Sequence, residues 1–444
     1  MSRVSHAIDR IDVTFDEPNL VPNAGLLLIG TLVARLGLEA LINATVALRG
    51  RVGGALPGRK VLTLVHAIAA GGSHIDHVGV LRAGETKSVL PHRVMAPSTC
   101  GTFLRAFSFG HVRQLDAVLA EAIRRAWNVG AGPGDGRLVV DVDSTICQVH
   151  GHHKTGATYG YTRCLGYHPL LATRADTGEV LHARMRKGSA GSGRGAKRFC
   201  QELIARVRRA GATGEIVLRA DSGFWSYALL DALTKAGVRW SITVRNTPGV
   251  AAAISRIDDT AWIDITYPDG GRAQVADTTY TTGRGRRGRT LRLVVRRTRL
   301  TDPAQQRLWP HWRHHAFITD LDGDAVTVDA FHRGHATVEL AIRDLKEGAG
   351  LEHVPSGNFG ANSAWLVCAV LAHNLIRWTR LLGGDDEPGR LTVARTLRTR
   401  LLGVPGRLVN RSGTPTLRMP LDWPWAQRSI DTLAALRALP FAGP

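Results

Sequence analysis

The chain is poor in cysteine, aromatic residues and long apolar runs, and each shortage removes a class of protein. Its five cysteines, Cys100, Cys147, Cys164, Cys200 and Cys368, include no C-x-x-C pair, which excludes a zinc ribbon and offers no disulfide framework. They read as reduced, mostly buried thiols. The N-terminus carries Arg3, Asp9 and Arg10 and lacks the apolar core of a signal peptide. Apolar stretches such as 25–34 and 365–372 fall short of the ~20 residues that span a bilayer, so a cytoplasmic chain with no membrane partner is expected. Acid is also scarce: 37 Asp and Glu stand against 57 Lys and Arg, a net charge of +20. That excess implies a polyanionic partner, because neutralising phosphates releases condensed counterions. Nucleic acid fits first, although a ribosomal or membrane-surface protein can be as basic. A hydrophobic content of 44% over 444 residues excludes a disordered chain and allows two or three domains.

The pattern changes along the chain. Residues 1 to 130 read as helical, with apolar repeats at 26–48, 61–69 and 101–127 separated by Gly53-Gly54 and Ala96-Pro97. The stretch 97–116 has room for two short helices around Gly110, a helix-turn-helix spacing that a plain helical bundle would share. After the glycine-rich loop 130–136, strands are expected at 137–143, 165–174 and 178–186, with Ala175-Asp-Thr-Gly178 as a hairpin turn. A helix at 196–210, a strand at 215–220, a helix at 225–236 and a strand at 238–244 follow. Three strands succeeded by alternating helix and strand is the order of a ribonuclease H-like sheet.

From 246 to 316 the sequence becomes β-rich and basic, with Arg284, Arg286, Arg287, Arg289, Arg292, Arg296, Arg297 and Arg299 close together. An insertion lying on the surface of the α/β core is expected, its arginines gripping phosphate rather than forming a merely solvated face. The boundaries that follow are a helical domain at 1–130 and an α/β core in two parts, 131–245 and 317–385. The basic insertion at 246–316 separates them, and a helical C-terminal segment spans 386–444.

Three acids stand where a two-metal site needs them. Asp143 ends a strand, Asp221 follows another, and Glu339 lies on a helix whose Val338, Ala341, Ile342 and Leu345 form a packing stripe. Glu339, Arg343 and Lys346 make a second stripe on the neighbouring flank. Carboxylates so placed can share two Mg²⁺ ions, with Mn²⁺ able to substitute, and support in-line phosphoryl transfer. Asp141 shares the strand face of Asp143 and is the alternative; Asp143 is preferred because Ser144 and Thr145 follow it where a crevice opens. Any one of these acids alone would read as a salt-bridge partner. The histidines of His150-Gly-His-His153 have no companion ligand at zinc spacing and suit a site rim. The loop 188–195 lacks the Gly-Lys-Ser/Thr ending of a nucleotide-binding loop and reads as a cap for the next helix.

The motifs Asp141-Val-Asp-Ser-Thr145, Gly166-Tyr-His-Pro-Leu170, Ala220-Asp-Ser-Gly-Phe224 and His332-Arg-Gly-His-Ala-Thr-Val-Glu339 together resemble the DDE transposases of bacterial insertion sequences, within them the thirteen-eighty family. The resemblance spans about 20 to 440. It implies a ribonuclease H-like core with Asp143, Asp221 and Glu339 as catalytic, metal-holding residues. Related transposases carry a Tyr-Arg-Glu-Lys signature; Glu339 and Lys346 match it, while His332 and His335 stand at the tyrosine and arginine positions and Arg333 is the nearby arginine. Lys346, Arg333, Arg343, Arg284, Arg286, Arg287 and Arg289 are the expected DNA contacts. The implied partners are double-stranded DNA, both terminal inverted repeats and target, and a second subunit in a synaptic homodimer of a bacterial, nucleoid-associated protein. A transposase-derived regulator without catalysis, or a structure-selective nuclease, would share the composition. Trp423, Trp425, Arg395, Arg398 and Arg400 near the C-terminus suit core packing and DNA or subunit contact equally.

Overall fold

The computed structural model describes residues 11–160, 162–267, 271–283, 288–299, 312–384 and 391–442. Strand β1 (Leu20–Val21) precedes five helices, α1 (Leu26–Arg35), α2 (Leu38–Thr45), α3 (Pro57–Ala69), α4 (Pro97–Arg105) and α5 (Phe109–Ala126). Proline opens α3 and α4 at the position where its missing N–H costs nothing. The break between α4 and α5 falls at Ala106 to Ser108, where the Ser108 N–H donates to His111 Nδ1 (3.2 Å). Gly110 lies inside the 18-residue α5, so the expected pair of short helices around it is replaced by a short helix and a long one.

Next come β2 (Leu138–Ser144), the short strands β3 (Cys147–Gln148), β4 (Thr158–Tyr159) and β5 (Leu165–Tyr167), then β6 (Leu170–Arg174), β7 (Val180–Arg184), α6 (Ala196–Arg209), β8 (Ile216–Ala220), α7 (Tyr227–Lys235) and β9 (Arg239–Thr243). A small helix α8 (Pro248–Ile254) leads to β10 (Ile263–Ile265), β11 (Ala273–Thr282), β12 (Arg289–Arg299) and β13 (Trp312–Thr319). Among the described residues nine strands form one sheet, in the order β10-β11-β12-β13-β9-β8-β2-β6-β7. β2, β6 and β7 are antiparallel neighbours, β8 runs parallel to β2, and β9 runs parallel to β8. Every residue of β6 and β8 is buried, as strands covered on both faces must be.

The basic segment does not lie on the surface of this core as expected. β13 pairs antiparallel with β9 through Phe317↔Thr243 and Ile318↔Ile242, and β12, β11 and β10 add outward from it. Val275, Val294 and Phe317 of these strands share a buried cluster with Val217 of β8 and Val328 of the following helix.

The chain ends with α9 (Ala325–Arg333), α10 (Thr337–Arg343), α11 (Phe359–Leu382), α12 (Ala394–Leu397), the hairpin β14 (Gly406–Arg411) and β15 (Thr414–Arg418), and α13 (Ala426–Ala438). The hairpin joins β1 in a separate sheet of order β1-β14-β15. Helix α11 is mostly apolar and buried on all sides. Asn358 caps it, its Oδ1 accepting from Gly360 N (2.8 Å), and it is buried from Ala361 through Thr379. At 24 residues it is long and apolar enough to cross a membrane, which the shorter stretches seen in sequence did not suggest; 89% of its most apolar window lies inside the protein. It packs on α3, α4, α5 and β7, and one hydrophobic cluster runs continuously from Leu26 to Leu436. The helix is therefore the shared core of the N-terminal helices and the sheet.

Candidate active site

The parallel register of β2 and β8 pairs Asp141 with Arg219 and Val142 with Ala220. The next residues, Asp143 and Asp221, therefore stand side by side at the carboxyl ends of adjacent strands, Asp143 still paired with Leu171 of β6 and Asp221 just past β8. Asp143 Oδ1 accepts from Ser144 N (2.6 Å), and Asp221 Oδ1 accepts from Gly223 N (3.0 Å) in the turn after β8. A cavity of about 270 Å³ opens beside Asp143, Ser144 and Thr145, and Glu339, Arg343 and Lys346 line it from α10 and the π-turn that follows. Val338, Ala341, Ile342 and Leu345 are buried as the stripe requires, while Glu339 and Arg343 are exposed.

The electrostatics tie the three acids together. Burial pushes the Asp143 carboxyl up to about 6, and the neighbouring Asp221 and Glu339 add to the rise; the Ser144 N–H and His335 oppose it. A carboxyl raised chiefly by burial and further by two acidic neighbours is one that a cation would relieve, and oxygen donors of this kind suit Mg²⁺ or Mn²⁺. Asp143, Asp221 and Glu339 thus fit a divalent ion by donor chemistry. Among the described residues, however, no three His, Cys, Asp or Glu side chains converge closely enough to hold one ion, and Asp221 does not line the cavity that Asp143 shares with Glu339.

Asp141 sits behind this cleft. It is fully buried and receives Arg219 Nε (2.7 Å), Arg219 Nη2 (2.8 Å) and His335 Nδ1 (2.8 Å). Arg219 also donates from Nη1 to Phe331 O (2.5 Å), so one guanidinium joins β2, β8 and the end of α9. Gly334 makes room for it: a Cβ there would meet Arg219 Nη1 at 2.5 Å. Asp141 with Arg219 and His335 fastens the segment carrying Glu339 to the strand carrying Asp143. His335 stands 194 residues from Asp141 in sequence, and nothing short of the fold announces the pair.

The other expected contacts divide. Lys346 and Arg343 face the cavity. Arg333 pairs with the buried Asp329 (3.0 Å), which also holds Arg296 (2.8 Å). Arg289 is forked onto Asp231 (2.6 and 3.0 Å), Arg292 bonds Asp277 (2.7 Å), and Arg297 lies 4.1 Å from the Trp262 ring centre and 4.6 Å from that of Trp312. Several arginines of the platform expected for phosphate thus have partners within the chain, Arg289 on its surface and Arg296 largely covered. Arg284, Arg286 and Arg287 lie outside the described residues. His332 is a core residue, stacked on Phe317 (3.9 Å between centres, 7° between planes) and bonded to Ser241 and Thr243. Burial drives its pKa well below the usual histidine range.

Two neighbours of the cleft escaped sequence reasoning. The loop 188–195 does cap α6, and it also brings Ser192 Oγ to 3.1 Å from Ser144 Oγ beside Asp143. Arg186 shapes it by donating from Nη1 to the carbonyls of Gly191 (2.9 Å) and Arg194 (2.8 Å). Glu347 and Glu352 also line the cavity, and their only sequence signal was proximity to Lys346. The residues that follow the histidine cluster pack on 354–357, which do not line the cavity: Lys154 Nζ donates to Val354 O, and Thr155 N donates to Gly357 O (2.8 Å). Near the C-terminus, Arg398 is spent on packing, bonding Ala69 O (2.7 Å) and Ile68 O (3.1 Å), while Trp423 Nε1 donates to Arg400 O (3.1 Å).

A mixed α/β sheet opening an acidic cleft in a chain of net charge +20 suits an enzyme that processes nucleic acid. The family model for the transposase DDE domain, group 1, matches residues 5–441, and the chain belongs to that family: it is a DDE transposase, an enzyme that cuts and joins DNA. No curated protein matches the sequence. Among solved structures the chain is similar to a piggyBac transposase in a synaptic complex with hairpin DNA, at 13% identity and a TM-score of 0.45 over 86% of this chain and 79% of that one.

Proposed function

We propose that this transposase cuts at the terminal inverted repeats of a bacterial insertion sequence of the thirteen-eighty type and joins the freed 3′ ends to target DNA. The observation that carries the assignment is geometric: Asp143 and Asp221 stand at neighbouring positions at the carboxyl ends of adjacent parallel strands, and Glu339 lines the same cavity as Asp143. The strand order and directions from β7 to β9 support a ribonuclease H-like core.

Asp143, Asp221 and Glu339 are the residues that would hold two divalent ions, Mg²⁺ or Mn²⁺. When bound, such ions supply charge stabilisation of the transferring phosphoryl group and a nucleophile at neutral pH. The protein's own residues do the rest. Lys346 and Arg343 hold phosphate oxygens at the cavity mouth, a sequence-independent grip that fixes the strand. Asp141, Arg219 and His335 keep the Glu339 segment in register with β2. The loop around Ser192 positions its hydroxyl against Ser144 beside Asp143. Double-stranded repeats and target are the DNA partners, with 1–130 and 386–444 contributing end binding and subunit contact in a synaptic homodimer.

The test is cleavage of DNA carrying the inverted repeats that flank this gene, in Mg²⁺ or Mn²⁺, beside a scrambled end. Nicks confined to the true end, and lost in Asp221→Asn and Glu339→Gln, are expected. End-specific binding without cleavage in either metal would replace this assignment with a transposase-derived regulator, and equal cutting of both ends with a structure-selective nuclease.

A further inference from the structure

The segment Ile11-Asp-Val-Thr-Phe-Asp-Glu17 has the alternation of a half-buried strand, and among the described residues none covers its large apolar side chains. Ile11, Val13 and Phe15 are 61%, 76% and 102% exposed, large apolar side chains at alternate positions that a strand would bring to one face. Asp12, Asp16 and Glu17 make it acidic in a chain of net charge +20. Its root is fixed: Glu17 pairs with Arg407 of β14 (3.1 Å), and Leu408 N donates to Asn19 O (2.9 Å).

A complementary surface lies on the same small sheet. β15 is its outer strand, opposite β1, and carries Pro415, a residue suited to an edge. Arg411 and Arg418 are exposed on the hairpin, and Arg437 is exposed at the groove beside it. That groove, about 520 Å³, is walled by Leu27, Leu408, Leu417, Met419, Trp423 and Ile430. An acidic strand with an apolar face and a basic edge above an apolar groove match in charge, in hydropathy and in strand chemistry.

We propose that residues 11–17 of one copy of this chain add as a strand along β15 of a second copy, with Val13 and Phe15 entering the partner's groove and the arm's acids facing its basic edge. The arm leaves from the β1 side, two strands away from β15 in the sheet order. Among the described residues no strand pairs with the outer edge of β15, which the arm of another molecule meets most directly, and a two-fold arrangement satisfies both arms at once. The pairing is independent of the catalytic assignment above, since it uses no residue of the acidic cleft and needs no DNA.

Sedimentation of the full chain without DNA over a range of concentrations tests this. A dimer is expected, with Val13→Ser/Phe15→Ser weakening it about a hundredfold. Arg411→Glu/Arg418→Glu should weaken it too, and Asp12→Lys/Asp16→Lys should restore association only when mixed with that charge-reversed protein. The restoration separates a direct contact from a folding defect. A chain that stays monomeric, a dimer indifferent to Val13 and Phe15, or amide exchange showing the arm protected in a monomer would each overturn the proposal.

Discussion

Replacing Arg219 with methionine removes three charge-assisted or polar hydrogen bonds at once and leaves Asp141, fully buried, with only His335. Breaking one side of a buried ion pair costs about 3–5 kcal/mol, because the remaining charge stays out of water. The cost should appear first where the latch ends. Arg219 and His335 hold the segment from Phe331 to Glu339 against β2 and β8, so local opening of α10 should become easier by a large part of that amount. Amide exchange at 338–343 reads this directly and needs no two-state unfolding of the whole chain. The double variant Asp141→Asn/Arg219→Met removes the stranded charge as well. It should recover about 2 kcal/mol relative to the sum of the single changes, as contacting pairs do in a mutant cycle. Cleavage should fall in Arg219→Met even though Arg219 touches no phosphate, because Glu339 loses its fixed relation to Asp143. An Arg219→Met protein whose α10 amides exchange as slowly as wild type, or strict additivity in the cycle, would refute the latch.

Gly334→Ala puts a Cβ against a guanidinium that three bonds prevent from moving aside, and should cost about 1–3 kcal/mol by the overpacking route, measured by denaturant midpoint. Asp143 titrates near 6 in the folded protein against a usual 3.8, so the metal-free protein binds an extra proton between those values; stability from this group is present below about 4 and is lost as pH rises through about 6. A divalent ion must displace that proton, so calorimetric Mn²⁺ binding should weaken about tenfold from pH 7.5 to pH 5 in wild type, and Asp143→Asn should abolish that dependence. Glu179, buried between the indole N–H groups of Trp127 (3.0 Å) and Trp378 (2.8 Å), is pushed up to about 7 chiefly by burial. Its contribution is complete below about 4.5 and disappears as pH rises through 7, so Glu179→Gln should equal or exceed wild type in thermal stability at pH 8, with a flatter profile between.

The strands at 138–144, 180–184, 216–220 and 239–243 and the helices α6 and α7 were legible because each carries its own period and its own terminators. The acids were legible for the same reason, since Asp143 and Asp221 follow apolar runs of strand length. What sequence hid is whatever depends on a distant partner. Arg289, Arg292, Arg296 and Arg297 look alike whether solvated, paired or gripping DNA, and only the fold supplies Asp231, Asp277, Asp329 and Trp262. The extension of the sheet through β13 was equally hidden, because edge-to-edge hydrogen bonding leaves no mark on side-chain periodicity. Asp141 and Asp143 were hard to rank for the same cause: both face one side of β2, and the difference lies in Arg219 and His335, which saturate one and leave the other at the cleft.

Helix α11 has a consequence for how such an enzyme measures DNA. Because the N-terminal helices and β7 both rest on it within one hydrophobic interior, they cannot swing against each other without opening that interior. If α1–α5 grasp the end of the element, the spacing between the grasped bases and the phosphate that is cut becomes a fixed length, set like the jaws of a caliper. Inserting or deleting a base pair between the two would then move the break relative to the sequence by that same step, leaving the protein's own geometry unchanged.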